Sequence, residues 1–228
     1  MTRGGSVQRH SVVVRICHWG VALSGFLLVF SGIGFMPLYG RFFLNEFPGL
    51  GWVSDFRVQM DLHYYSAAVF LALGLFHLTY HSRRQEFSLL PRRGDVRESV
   101  NIVLAMLAGR KEPDHDKYLA EQRIFYVILL QVAVVLVLSG YSLTLKNSLK
   151  VPLDPGLHQL LVLVHHGFTY IFVVLIVLHV GAFLLGANRP LLASMLHGRV
   201  GLDYACSRHA KWVKSNKYSC GNNLRAKD

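Results

Sequence analysis

Residues 155–188 read PGLHQLLVLVHHGFTYIFVVLIVLHVGAFLLGAN, and this stretch decides the fold class. It holds no Asp, Glu, Lys or Arg, and it exceeds the ~20 residues that a helix needs to cross a hydrocarbon core. His158 lies near its start, and His165, His166 and His179 lie within it. An imidazole inside a bilayer is costly and marks a functional position by default.

Working outward, three more runs lack all four charged residue types: 16–40, 62–82 and 124–145. Each is long enough to span. The pattern predicts an all-α membrane protein, a four-transmembrane-helix bundle forming one integral-membrane domain over residues 1–228. The expected spans are about 16–39, 62–82, 123–145 and 159–187. A middle loop (83–122) and a tail (188–228) complete the chain. Composition agrees. The 228 residues are 52% hydrophobic and 16% charged, with a mean hydropathy of +0.35, whereas soluble domains carry roughly 25% charged residues. An ordinary soluble enzyme and a disordered chain are both excluded.

The net charge of +11 comes from 24 basic and 13 acidic residues. Twenty of the basic residues fall in three segments: Arg3, Arg9 and Arg15, nine from Arg83 to Arg123, and eight from Arg189 onward. The other two loops hold Arg41, Arg57, Lys146 and Lys150. Charge that follows topology in this way argues against nucleic-acid binding. The positive-inside rule places both termini and the middle loop in the cytoplasm.

The first apolar run starts late and continues as a full span, which predicts a retained segment and not a cleaved leader. No internal repeat, Walker motif or Rossmann glycine pattern is evident. The stretch 96–107 is expected to form a short surface helix. Cys206 and Cys220 would lie in a reducing compartment, where a disulfide is not expected. No Cys-x-x-Cys-His occurs, so a covalently attached haem is not expected.

The histidines carry the chemistry. His165 and His179 are 14 residues apart, about 21 Å along a helix and within about 40° of one face. Two ligands on one face, one per leaflet, suit two stacked haems, each needing an axial histidine from another helix. Topology limits the partners. His63 opens the second span on the outer side, level with His165. His18 opens the first span on the inner side, level with His179. His77 lies 14 residues after His63, also at the inner level, so a scheme pairing His63–His165 and His77–His179 is equally open on geometry. His166 competes with His165, but its spacing from His179 turns it away. Two other readings remain: histidines that only hydrogen-bond between helices, and a histidine-based metal transporter. A transporter would place carboxylates or thiolates beside the imidazoles; Asp61, at a span edge, is the nearest.

These residues resemble a known family. Arg15-Ile-Cys-His18-Trp19, Ser31-Gly32-Ile33, Leu62-His63, His165 and His179 are similar to blocks of the gamma subunit of membrane-bound formate dehydrogenase, a di-haem b-type cytochrome. Lys117-Tyr118-Leu-Ala-Glu-Gln122-Arg123, Gly198-Arg199-Val200 and Arg208-His209-Ala-Lys-Trp212 extend the likeness over roughly residues 15–212. The wider group includes the cytochrome b subunits of nickel–iron hydrogenases and of thiosulfate and other reductases, and the Lys-Tyr block resembles the formate dehydrogenase members more.

The resemblance implies two haem b groups, on His18–His179 and His63–His165. It implies a quinone, menaquinone or ubiquinone, near Tyr118, Gln122 and His179. Leu119 replaces the family's asparagine there, and Glu121 a glycine; Glu121 is then a candidate proton relay. It also implies an iron–sulfur (beta) partner, a molybdenum or tungsten catalytic (alpha) partner and a bacterial or archaeal inner membrane. Electrons from formate would pass across the membrane to quinone, and this subunit would have no formate-oxidising site of its own. Arg15 and Arg123 are candidates for haem propionates. Trp19, Trp52 and the aromatic residues around 39–56 suit an interfacial belt. The basic tail, with Arg208, Lys211, Lys214 and Lys217, suits anionic lipid.

Overall fold

The computed structural model describes residues 5–35, 47–110 and 114–220. Four helices among the described residues are long and apolar enough to cross a membrane. They are α1 (Val12–Gly34), α2 (Phe56–Arg83), α4 (Ala120–Leu149) and α5 (Pro155–Gly181). Between α2 and α4 lies α3 (Asp95–Leu107), close to the expected surface helix. The tail forms α6 (Arg189–His197), α7 (Leu202–Arg208) and α8 (Ala210–Ser215). Two short strands, β1 (Ser6–Gln8) and β2 (Arg199–Gly201), complete the fold. The predicted outer end of the first span, Arg41 and part of the aromatic belt fall in 36–46, outside the described residues.

The spans are apolar on nearly every side, as helices facing lipid must be. Leu23, Phe26, Leu75, Leu163 and Val177 are each more than half exposed. What specifies their packing is a sparse set of small and polar residues. The chain divides into two compact units, residues 13–84 with 135–173, and residues 1–12 with 85–134 and 174–228.

In the first unit, a Cβ on Gly20 would stand 2.6 Å from Leu73 Cδ1, so glycine lets α1 approach α2. Gly25 faces Phe70 and Phe172, whose rings meet edge to face at 6.5 Å. Asp55 caps α2 by accepting from the backbone N–H of Arg57 and Val58. One turn on, buried Gln59 donates to the Val53 carbonyl at 2.9 Å.

The second unit ties the ends of the chain to the middle loop. β1 pairs antiparallel with β2, Val7 opposite Val200. This sets the N-terminal arm beside the tail, as four crossings require. Gly198, at φ 81°, closes α6 in the left-handed cap that glycine favours. Its carbonyl then accepts from Arg9 and His10. Val7, Val200, Ala205, Cys206, Trp212 and Val213 form a core. The middle loop joins it: His115 N–H donates to the Arg208 carbonyl, and Lys211 N–H to the His115 carbonyl.

Three expectations are corrected here. Cys206 and Cys220 form a disulfide, because the chain doubles back after α8 and brings their Cα atoms to 5.9 Å. Spacing alone did not reveal that return. Arg208 is not a lipid-facing residue; it is buried and donates to the Ala187 carbonyl and to Asn188 Oδ1. Arg123 is not available to a propionate. Its Nε and Nη2 hold the Asp95 carboxylate at 2.7 and 2.6 Å, and Nη1 donates to the Tyr118 carbonyl. Asp95 and Arg123 are both buried, so this is a paired, hydrogen-bonded buried charge. The guanidinium holds the Asp95 carboxyl below its ordinary value.

His209 is fully buried and its Nδ1 donates to the Asp116 carbonyl at 2.8 Å. Burial, with Arg9, Arg208 and His115 nearby, pushes it down to about 3. An unfolded histidine titrates near ~6.5, so below that pH the opened tail binds a proton that the folded tail refuses. The folded tail is therefore at full stability above ~6.5 and loses it as the pH falls toward about 3. Proteolysis of the tail in detergent at pH 7.5 and pH 5 is expected to be faster at the lower pH, and His209→Gln is expected to flatten that difference.

Candidate functional site

His63 on α2 and His165 on α5 face each other, with ring centres 6.3 Å apart and planes at 70°. Each ring is held from a helix that carries no ligand of its own at that level. Ser31 Oγ on α1 lies 2.9 Å from His63 Nδ1, and Ser139 Oγ on α4 lies 3.0 Å from His165 Nδ1. A hydroxyl has one proton. Ser31 gives it to the Leu27 carbonyl at 2.7 Å, and Ser139 to the Val135 carbonyl at 2.7 Å, each four residues back. The serine oxygen is left to accept. With the hydroxyl proton so committed, each imidazole donates its Nδ1–H to the serine oxygen and keeps the Nε2 lone pair for a metal.

Two glycines give the rings room. A Cβ on Gly140 would stand 3.0 Å from His165 Cε1, and one on Gly32 would stand 3.7 Å from His63 Cε1. Imidazole–metal bonds are about 2.0–2.1 Å and the ring nitrogen sits about 1.1 Å from the ring centre, so two imidazoles on opposite sides of one ion have centres about 6.2–6.4 Å apart. The observed separation meets that requirement. No cluster of three or more His, Cys, Asp or Glu side chains able to hold a metal ion occurs among the described residues. Two axial ligands with two held Nδ1 protons are what a metal already bound in a macrocycle needs.

The remaining histidines divide. His166 is exposed while His165 is half-buried, so the neighbour turns away from His63. His77 packs against His81 with ring centres at 4.6 Å, and His18 lies within electrostatic reach of His77. On α5, the His179 ring stacks on Phe125 at 5.7 Å and 16°, with Phe183 edge-on at 6.1 Å. Phe125 lies one turn beyond Glu121 and Gln122 on α4, which brings His179 to the Lys117–Arg123 block.

That block is built around Tyr118. Arg9 is buried; it donates to the Lys117 carbonyl, and its guanidinium lies 5.7 Å from the Tyr118 ring and 5.4 Å from the Trp212 ring. Burial pushes the Tyr118 phenol up to about 12, against the pull of Arg9. It therefore stays protonated at neutral pH, with a proton available to donate. Gln122 Oε1 accepts from Leu119 N–H at 3.3 Å and caps α4. Leu119 is fully buried with Ile102 and Ala120, so the residue standing where the resemblance has asparagine serves the core. Glu121 is half-buried on the same turn.

The sequence matches the prokaryotic cytochrome b561 family over residues 9–198. The chain belongs to that family. It is also similar to the cytochrome b556 subunit of nitrate-inducible formate dehydrogenase of Escherichia coli K12, at 23% identity over 221 residues, covering 94% of this chain and 93% of the relative. The corresponding subunits of Escherichia coli O157:H7 and Shigella flexneri match equally. A cytochrome b carries haem b. The donor set, the ring separation and the glycine clearance at His63–His165 fit it.

For a cytochrome b561 family member, the residues that sequence reading missed are the supports. Ser31 was noted only as part of a block, and Ser139 not at all. A signal was present. Leu28-Val-Phe-Ser31-Gly32 on α1 and Leu136-Val-Leu-Ser139-Gly140 on α4 are the same Leu-Val-x-Ser-Gly pentapeptide, a short internal repeat where none was expected. In both copies the serine supplies the hydroxyl that meets the ring, the leucine a second carbonyl for that hydroxyl at 3.2 Å, and the glycine the space. Phe125 and Arg9 were likewise missed. Ser31→Ala and Ser139→Ala each remove one support of a ligand, and outer-shell losses of this kind cost about 10–100-fold in metal affinity. Each variant is expected to retain less haem after detergent dialysis than the parent chain, and the double variant less again, as read by pyridine haemochrome.

Proposed function

We propose that this chain is the di-haem cytochrome b membrane anchor of a formate-oxidising complex. It would take electrons from an iron–sulfur subunit and deliver them to a quinone. The opposed His63–His165 pair, each ring held in the metal-binding tautomer, is the observation that carries the reading. The similarity to a formate dehydrogenase subunit over nearly the full length of both chains supports the choice of partner complex.

In this reading His63 and His165 are the axial ligands on the outer side, and Ser31 and Ser139 fix their orientation. His18 and His179 are the ligands on the cytoplasmic side, following the Arg15-x-x-His18-Trp19 opening. His77 is the rival to His18. When bound, haem b supplies a one-electron iron couple. Tyr118 donates a hydrogen bond to a quinone oxygen, Gln122 orients the turn that carries it, and Glu121 supplies a carboxylate for proton uptake. Lys117 and Arg9 place positive charge beside Tyr118, where a reduced quinone oxygen gathers negative charge. Both termini and the middle loop face the cytoplasm, because the basic residues gather there. The complex would then oxidise formate on the opposite side, in an alpha subunit with molybdenum or tungsten, within a bacterial inner membrane.

The first experiment is a haem count on the purified chain. Two b-type haems per chain are expected. His63→Ala and His165→Ala should each remove the same one of the two, leaving a single set of reduced-minus-oxidised bands. His18→Ala should remove the other, while His77→Ala should leave both. Loss of the second haem in His77→Ala and not in His18→Ala would transfer the inner ligand to α2. A well-folded chain with no haem would overturn the electron-transfer reading.

A further inference from the structure

Helix α3 lies outside the spans yet carries an apolar face that nothing among the described residues covers. At 100° per residue, Val96, Val100, Val103 and Leu104 share an arc of about 100°. They are 72%, 52%, 39% and 59% exposed. Buried Asp95 and Ile102 lie on a second arc, about 20° from each other. Exposed Arg97 and Asn101 lie on a third. One face thus meets protein, one is polar, and one is apolar and bare.

The protein-facing side fixes the depth of the helix. Ile102 packs on Leu119 and Ala120, and Asp95 is clamped by Arg123 in the first turn of α4. Ala120–Asn147 is a span, so α3 is pinned to the point where the chain enters the bilayer. Phe87 and Leu90, just before α3, are also about half exposed. Arg93 and Arg97 are exposed beside them. An apolar strip at this depth, with basic residues at its rim, has the composition of a helix lying in the plane of an anionic membrane surface.

We propose that α3 is an interfacial helix, with Val96, Val100, Val103 and Leu104 seated in the acyl chains and Arg93 and Arg97 at anionic headgroups. The middle loop is then moored to the bilayer it emerges from. The Lys117–Arg123 block is held at the same level through Ile102 and Asp95. The mooring does not depend on which complex the chain serves.

The test uses the full chain in nanodiscs of phosphatidylglycerol and, separately, of phosphatidylcholine. Spin labels are placed through Val100→Cys, Leu104→Cys and Asn101→Cys. Cys17 is buried and Cys206 is bonded to Cys220, so the parent chain serves as the labelling blank. Labels at 100 and 104 should collide with membrane-dissolved oxygen more than with a water-soluble nickel chelate. The ratio should invert at 101. The contrast should be sharper in phosphatidylglycerol. An unchanged haem spectrum identifies folded variants. Chelate-accessible labels at 100 and 104 in both lipids would overturn the proposal. Labels that lose chelate access only when purified partner subunits are added would assign the face to a protein instead.

Discussion

An imidazole in hydrocarbon has two ring nitrogens, and a metal takes only one. The other carries a proton that must be given to an acceptor or left unsatisfied at a cost of several kcal/mol. Much of the first unit follows from that requirement. An acceptor placed on the ligand's own helix would point along the axis, not across to the ring. It therefore comes from a neighbour, α1 for His63 and α4 for His165. The acceptor must have its own proton occupied, which the carbonyl four residues back ensures. The backbone must come close enough for this to happen, which is why glycine follows serine in both helices. Four helices are thus needed to hold two ligands.

The second unit solves a different problem. A basic segment that must also fold has to bury some of its cations, and a buried cation requires dedicated partners. Arg123 is paired with Asp95, Arg208 is held by a carbonyl and an asparagine, and Arg9 lies against two aromatic rings and a carbonyl. The cations left at the surface, such as Lys211, Lys214 and Lys217, stay exposed. The charge total does not say which arginines are structural.

The reach of the sequence follows from the same physics. Spans were legible because lipid imposes a long, charge-free run. His165 was distinguishable from His166 because a helix turns neighbouring residues to different sides. The serine supports were obscured because a small polar residue in a span has several ordinary uses, and only its partner across the helix interface reveals which applies. Arg9 and Arg123 carried the same obscurity: basic residues at a membrane edge read as anchors until the groups they bind are seen. The Cys206–Cys220 bond depends on the chain turning back after α8, a return that no periodicity encodes.

The two units also separate two kinds of chemistry. Around His63 and His165 the partners of the second nitrogen are serine hydroxyls backed by carbonyls, which neither gain nor lose a proton over the accessible pH range. A metal held there can change charge without a proton having to follow through those contacts. Around Tyr118 the opposite holds: Lys117, Glu121 and the phenol itself are ionisable, on a segment outside the charge-free runs, and Arg9 reaches them from the N-terminal arm. On the function proposed above, that division is what a quinone-reducing anchor requires. Electrons cross where protonic groups are scarce, and they combine with protons only where the chain gathers its titratable residues.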